Sequence, residues 1–299
     1  MICWICSSAK GAQHTASEKM FGLGGTFHYW ECTECGCLSL IDHPNDWGTY
    51  YPSAYYSFAK PKLNPFTAVA DRFRVSDTPV FSPLVNRYSP CPAIRALHPI
   101  RKGQTLLDVG SGAGDVVLRL RALGVNALGI DPFIASDIYD GDRLRVKKTT
   151  LDGMAGNFDI VYLNHSFEHM PDQLETLRQI SVRLNSAGRA VIRIPLATEA
   201  WKIYGEFWYQ LDAPRHLFLH TEKSLTILAG KAGLRIVKSV YDSDGLQFHY
   251  SSLYKKGLTM AQCKKARLPW KEELSLRRKA QTLNSQKRGD TAAFTLIAS

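Results

Sequence analysis

The chain has 299 residues, enough to bury a core without a disulfide framework, and its size suggests two domains, or one domain plus a sizeable appendage. Hydrophobic residues make up 45% and charged residues 21%, which excludes a largely disordered chain. The formal net charge of +10 raises nucleic acid, an anionic membrane surface or a phosphorylated substrate as partner. Residues 1–30 lack an export signal and no run of about 18 apolar residues occurs, so the reading is cytoplasmic.

Five of the seven cysteines fall in the first 37 residues. Cys3-Trp4-Ile5-Cys6 and Cys32-Thr33-Glu34-Cys35 are two C-x-x-C pairs. Each spacer lets two sulfurs face one cation, and two such knuckles close the tetrahedral thiolate site that structural zinc prefers. Gly36 suits the knuckle turn, and Cys37 is an alternative fourth ligand. A module of about fifty residues buries little, so zinc would supply the missing folding energy, about 10–16 kcal/mol. The expectation is a zinc-ribbon-like module over 1–48 with Cys3, Cys6, Cys32 and Cys35 as ligands. Residues 49–100 read as an aromatic and proline-rich connector with short helices, opening on Tyr50-Tyr51-Pro52-Ser53-Ala54-Tyr55-Tyr56. Those rings either pack the module or cover a cationic ligand.

Thr105-Leu106-Leu107-Asp108-Val109 predicts a buried strand running into Gly110-Ser111-Gly112-Ala113-Gly114 and then an amphipathic helix. A dinucleotide fingerprint needs glycine at 115, where Asp115 stands. Acids at 108 and 115 bracket the loop, which suits a positively charged ligand better than a pyrophosphate. A second strand, residues 125–130, ends at Asp131, placed to accept both ribose hydroxyls of a nucleoside. Asp152 follows a third strand near 144–148 and is placed for an adenine amine; Asp159 to Asn164 form a fourth.

Taken in order, Leu107 to Gly114, Gly129-Ile130-Asp131 and Phe158-Asp159-Ile160-Val161 resemble the class I S-adenosylmethionine-dependent methyltransferases. The resemblance runs from about 105 to 241, with a closing strand at 291–298. It implies an α/β fold, a seven-stranded, mostly parallel Rossmann-like sheet over 101–299. It also implies S-adenosyl-L-methionine as cofactor, with Asp108, Gly110, Ser111, Gly112, Gly114, Asp131, Asp152, Asn164 and His165 around it.

His165-Ser166-Phe167-Glu168-His169 matches the H-x-x-E-H string of a zinc-hydrolase class. That chemistry needs a regular helix, and Pro171 two residues on restricts this stretch to a strand-exit loop. By resemblance Glu168 and His169 line the mouth of the cofactor pocket. Thr221 should cap a helix over 225–232. Before it, Pro214-Arg215-His216-Leu217 is similar to a segment of bacterial methyltransferases with an N-terminal C-x-x-C module, a group associated with sugars and surface polysaccharide biosynthesis. Related sugar C-methyltransferases carry Glu-His there, with the histidine as base; here Arg215 precedes His216 and the acceptor atom stays open. A hydroxyl acceptor needs a base titrating near neutrality, so His216 is the first choice and His169 the second. Arg215 suits an anionic group on the substrate.

Residues 255–289 hold eleven basic residues against two acidic, a net +9 of the total +10. They read as one or two inserted helices, forming either a solvated basic face or a platform for an anionic, nucleotide- or lipid-linked acceptor or an acidic membrane surface. A zinc-ribbon RNA methyltransferase and a non-catalytic binding protein that kept the fold are the alternatives. No RNA-binding module signature supports the first.

Overall fold

The computed structural model describes residues 1–51, 65–75 and 91–299. The tyrosines at 55 and 56 lie outside that set, as does most of the connector; helices α1 (Pro65–Arg74) and α2 (Pro92–Arg95) are its described parts.

The N-terminal segment forms an antiparallel hairpin of β1 (Gly11–Glu18) and β2 (Gly24–Cys32), extended by β3 (Leu38–Leu40). Next come β4 (Thr105–Val109), α3 (Asp115–Ala122), β5 (Asn126–Ile130), β6 (Ile138–Asp140), β7 (Arg143–Lys147) and β8 (Phe158–Asn164). Then follow α4 (Gln173–Arg183), β9 (Leu184–Pro195), α5 (Glu199–Tyr204), β10 (Phe218–Leu219), α6 (Glu222–Lys231) and β11 (Leu234–Tyr241). Helices α7 (Leu246–Tyr254), α8 (Met260–Cys263) and α9 (Trp270–Ser285) precede the closing strand β12 (Thr291–Ala298). Helices α8 and α9 lie within 255–289, between β11 and β12.

The main sheet has the order β11-β12-β9-β8-β4-β5-β7-β6. Strands β9, β8, β4, β5 and β7 pair in parallel, while β12 and β6 run against their neighbours. The central strands are covered on both faces, which explains runs such as Ile160-Val161-Tyr162-Leu163, all fully buried. The expected seven strands are corrected to eight. The additional one, β6, turns back on β7 through Gly141-Asp142, with Asp140 opposite Arg143 and Gly141 at φ 57°. A Gly-Asp pair between short extended segments is a local signal for such a hairpin. Asp140 also accepts from Arg145 (2.8 Å) and Arg121 (3.3 Å), which pins this edge.

The module boundary at 48 does not separate two hydrogen-bonded systems. Strand β10, from the catalytic half, pairs with β3, placing Phe218 opposite Ser39 and Leu219 opposite Leu38. One apolar core therefore runs from Ile5, Tyr29 and Leu38 through Leu217 and Leu219 to Leu163 and Ile192. Helix α6 begins at the expected cap: Thr221 accepts from the Ser224 amide (3.1 Å), and the Ser224 hydroxyl accepts from the Thr221 amide (2.9 Å).

Candidate active site

The parallel strands β4, β5 and β8 end on one edge of the sheet, where open α/β sheets bind ligands. Gly110, Gly112 and Gly114 follow β4 with φ of 74°, 53° and 80°. Glycine takes these left-handed values without strain. Close approach fixes the first independently: a Cβ on Gly110 would stand 2.5 Å from Ser166 Cβ. Ser166 Oγ donates to the Val109 carbonyl at 2.7 Å, so the turn after β8 packs directly on the glycine loop.

Asp131, at the end of β5, is buried; its Oδ2 accepts from the Gly112 amide (2.9 Å) and its Oδ1 from the Phe133 amide (2.8 Å). Each oxygen keeps a second acceptor position. Burial, with Asp131 and Asp115 adding repulsion, pushes the Asp108 carboxyl up to about 7. A positively charged ligand would relieve this crowding of acids, whereas a pyrophosphate would worsen it. This donor set fits S-adenosylmethionine. Asp152 sits in the loop after β7 with its side chain exposed, and a Thr150 hydrogen bond lowers its pKa. Asn164 ends β8 and accepts from the Tyr162 hydroxyl (3.1 Å).

The histidine string leaves β8 as one tight turn, Phe167–His169, so its histidines do not share a regular helix. His165 holds φ 51°, an uncommon value for a non-glycine residue. Its Nε2 faces the Arg193 guanidinium, which can only donate, so Nδ1–H donates to Glu168 Oε1 (3.2 Å). Glu168 is 1% exposed. Burial raises its pKa, but the His165 hydrogen bond and the electrostatic pull of the surrounding imidazoles prevail and bring it down to about 2. Glu168 Oε2 is buried with no hydrogen-bond partner.

The segment 210–217 closes over this turn. The Leu217 amide donates to the Glu168 carbonyl (2.8 Å), and His169 Nδ1 donates to the Arg215 carbonyl (2.8 Å). The His169 and His216 rings meet edge to face, 4.7 Å between centroids. His216 Nδ1 donates to the Gln210 carbonyl (2.8 Å), which leaves the Nε2 lone pair 3.9 Å from Glu168 and 3.8 Å from Asp212. Burial and then His169 lower its pKa to about 4, so the ring is neutral at pH 7. His216, His169 and Glu168 are thus brought together beside the glycine loop.

Arg215 is the correction among the candidate residues. It is 0% exposed, and its charge is met by groups within the chain. Its guanidinium donates to Asp212 (2.6 and 3.0 Å), to Glu18 of β1 (2.7 Å) and to the Tyr50 carbonyl (3.2 Å). It therefore holds the 210–217 loop to the N-terminal hairpin. Sequence reasoning missed Asp212 and Glu18. Asp212 was visible three residues before Arg215, whereas Glu18 lies 197 residues away with no local signal.

The four expected cysteines converge. Cys3 and Cys35 sulfurs are 3.7 Å apart and Cys6 and Cys32 sulfurs 3.5 Å apart. Tetrahedral zinc with bonds of about 2.3 Å needs sulfurs about 3.8 Å apart, so the set fits that ion. The Gly36 amide closes the second knuckle on the Cys32 carbonyl (2.7 Å). Cys37 is buried outside this group, its thiol directed at the Leu38 carbonyl (3.5 Å).

A family model described as a methyltransferase domain matches residues 85–239, more than half of the chain. The chain belongs to the methyltransferase-domain family. Trans-aconitate 2-methyltransferase of Deinococcus radiodurans is 26% identical over 115 residues, which span 36% of this chain and 45% of that relative. The chain thus matches less than half the length of that protein. Among solved structures, the cyclopropane synthase MmaA2 of Mycobacterium tuberculosis is 18% identical, with a TM-score of 0.42 over 67% of this chain and 80% of that one. The 1,6-didemethyltoxoflavin-N1-methyltransferase of Burkholderia thailandensis, solved with 1,6-didemethyltoxoflavin and S-adenosylhomocysteine bound, is 16% identical, with a TM-score of 0.43 over 91% of this chain and 96% of that one.

Proposed function

We propose that this protein is an S-adenosylmethionine-dependent methyltransferase that methylates a small-molecule or sugar acceptor. The observation that carries the proposal is the packing of the Glu168–His169 turn on the glycine loop, through Ser166 against Gly110 and Val109. It sets a nitrogen-bearing cluster beside a cradle suited to a positively charged nucleoside. When bound, S-adenosylmethionine supplies an electrophilic methyl on sulfur, and the protein's part is largely positioning, about 7–11 kcal/mol at best.

The residues divide the work. Gly110, Gly112 and Gly114 let the backbone approach the methionine part, while Asp108 faces its positive charge. Asp131 accepts the ribose hydroxyls. Asp152, Ser111, Asn164 and His165 complete the cofactor side. A hydroxyl acceptor gives its proton to the histidine cluster, with His216 Nε2 first and His169 second. Both rings are oriented by donating Nδ1–H to backbone carbonyls. Glu168, ionised beside them, stabilises the imidazolium that forms.

The Cys3, Cys6, Cys32 and Cys35 centre is assigned to structural zinc, with four sulfurs leaving no open position. Reduced cysteines agree with a cytoplasmic setting. The basic residues of 255–289 favour an anionic acceptor, such as a nucleotide- or lipid-linked sugar. The test is a methyl-transfer screen over nucleotide sugars, hydroxy acids and RNA. Methylation of a small acceptor is expected, with His216→Ala cutting turnover by about 10²–10⁴. Turnover on RNA alone would replace this acceptor class with a nucleic acid.

A further inference from the structure

Resting on the reading of the histidine turn as the acceptor side, we propose that Glu168, His169 and His216 form a divalent cation site that binds an acceptor with two adjacent oxygens. A vicinal diol or a hydroxy acid has that chemistry.

Three observations support a metal. First, one ligating atom from each of the three residues lies within 4.8 Å of the other two. Three ligands at about 2.1 Å from one ion stand about 3.0–3.6 Å apart, so side-chain adjustments of about an ångström each close the set. Second, each imidazole is already prepared. Nδ1–H of His216 is committed to the Gln210 carbonyl and that of His169 to the Arg215 carbonyl, which leaves Nε2 of both rings with its lone pair. A backbone carbonyl behind the far nitrogen is the usual outer-shell partner of a metal-bound histidine. Third, Glu168 Oε2 is buried without a partner, while its Oε1 takes the His165 hydrogen bond and stands 3.9 Å from His216 Nε2. A buried, unpaired acceptor is unfavourable unless something cationic completes it.

Three protein ligands leave two or three positions for acceptor oxygens and water. One carboxylate and two neutral rings carry a charge of −1, which suits a divalent first-row cation. With the ion bound, both Nε2 lone pairs are engaged, so the cation takes over from His216 the task of activating the hydroxyl. A hydroxyl on the cation is more acidic. Its O–H bond breaks with the pair left on oxygen, and the proton passes to water. The O–CH3 bond then forms as the S–CH3 bond of the sulfonium donor breaks, its pair remaining on sulfur.

The test uses the full chain with its four-cysteine centre loaded with zinc, and Mn²⁺ alone as probe. Electron paramagnetic resonance titration should show one Mn²⁺ bound per chain. Glu168→Gln and His216→Ala should each weaken it by more than about 10-fold, the lower bound for losing an outer-shell partner. Circular dichroism and the melting temperature of the same samples should be unchanged and report folding, and wild-type S-adenosylmethionine affinity is measured by calorimetry. If Glu168→Gln does not fold, His169→Gln on the half-buried ring supplies the same comparison. Wild-type protein that binds S-adenosylmethionine but binds Mn²⁺ no better than the variants overturns the cation site and leaves the methyltransferase standing. Saturable Mn²⁺ binding without any S-adenosylmethionine binding does the reverse.

Discussion

Asp108 shows how one residue can trade stability for binding. Its carboxyl is moved from 3.8 up to about 7 by burial and by neighbouring acids. The ionised form is therefore disfavoured in the folded chain. Between about pH 4 and 7 the folded chain holds a proton that the unfolded chain has released, so stability falls as pH rises through that window. The full penalty, on the order of 4 kcal/mol, is present above pH 7. Asp108→Asn should be the more stable protein at pH 8, by a few kcal/mol in urea unfolding, and should match wild type below pH 4. It should also bind S-adenosylmethionine more weakly. Equal stability at pH 8 would contradict the burial account. Residues of this kind were legible because the cradle is nearly contiguous: Asp108, Gly110, Gly112 and Gly114 lie within seven positions, and strand pairing alone carries Asp131 to them. Arg215 was not legible in the same way. Beside a histidine it has the chemistry of a substrate clamp, and only the Glu18 carboxylate delivered by β1 shows that its charge is consumed internally.

At the scale of elements, the N-terminal module, the 210–217 segment and the histidine turn behave as one assembly. Strand β10 completes the module's sheet, the Tyr29 hydroxyl donates to the His216 carbonyl (2.9 Å), and Arg215 bridges Glu18 to Asp212. Truncating one member of a buried charge network leaves its partners unpaired, at a cost of about 3–5 kcal/mol. Arg215→Met should destabilise by that amount in urea. Arg277→Met, which breaks the exposed pair with Glu273, should change stability by about 1 kcal/mol or less. The cysteine knuckles belong to the same assembly. Elemental analysis should find one zinc per chain, and chelation should lower the melting temperature and slow turnover together, because the module braces the loop that carries His216. Chelation that unfolds nothing would remove zinc from the account. The doubled C-x-x-C spacing made the cysteine centre readable from sequence. The sharing of β10 was not, since a two-residue strand has no periodicity to detect. The eighth strand was signalled by Gly141-Asp142, but the seven-strand expectation came from resemblance, which does not count edge hairpins.

For the whole molecule, charge is the organising feature. Nine of the ten net positive charges lie in 255–289, leaving the rest of the chain nearly neutral. Some of these cations are paired: Lys287 with Glu222 (3.2 Å) and Arg288 with Glu199 (2.6 Å) tie the segment to the core. Around Trp270, which is 70% exposed, Lys271, Leu274 and Arg278 line a shallow recess of about 310 Å³. Neutralising Lys264, Lys265, Arg277 and Arg278 together should weaken an anionic acceptor and flatten the salt dependence of its binding. S-adenosylmethionine affinity should stay unchanged. No helix among the described residues is long and apolar enough to cross a membrane.

The central claim is that the loop after β4 and the acid after β5 hold S-adenosylmethionine. Calorimetric titration of the purified chain tests it most directly. The account predicts one saturable site in the wild type, lost in Gly112→Arg and strongly weakened in Asp131→Ala, with all three proteins folded by circular dichroism. Equal affinity in the wild type and both variants, or no binding by the folded wild type, would contradict it.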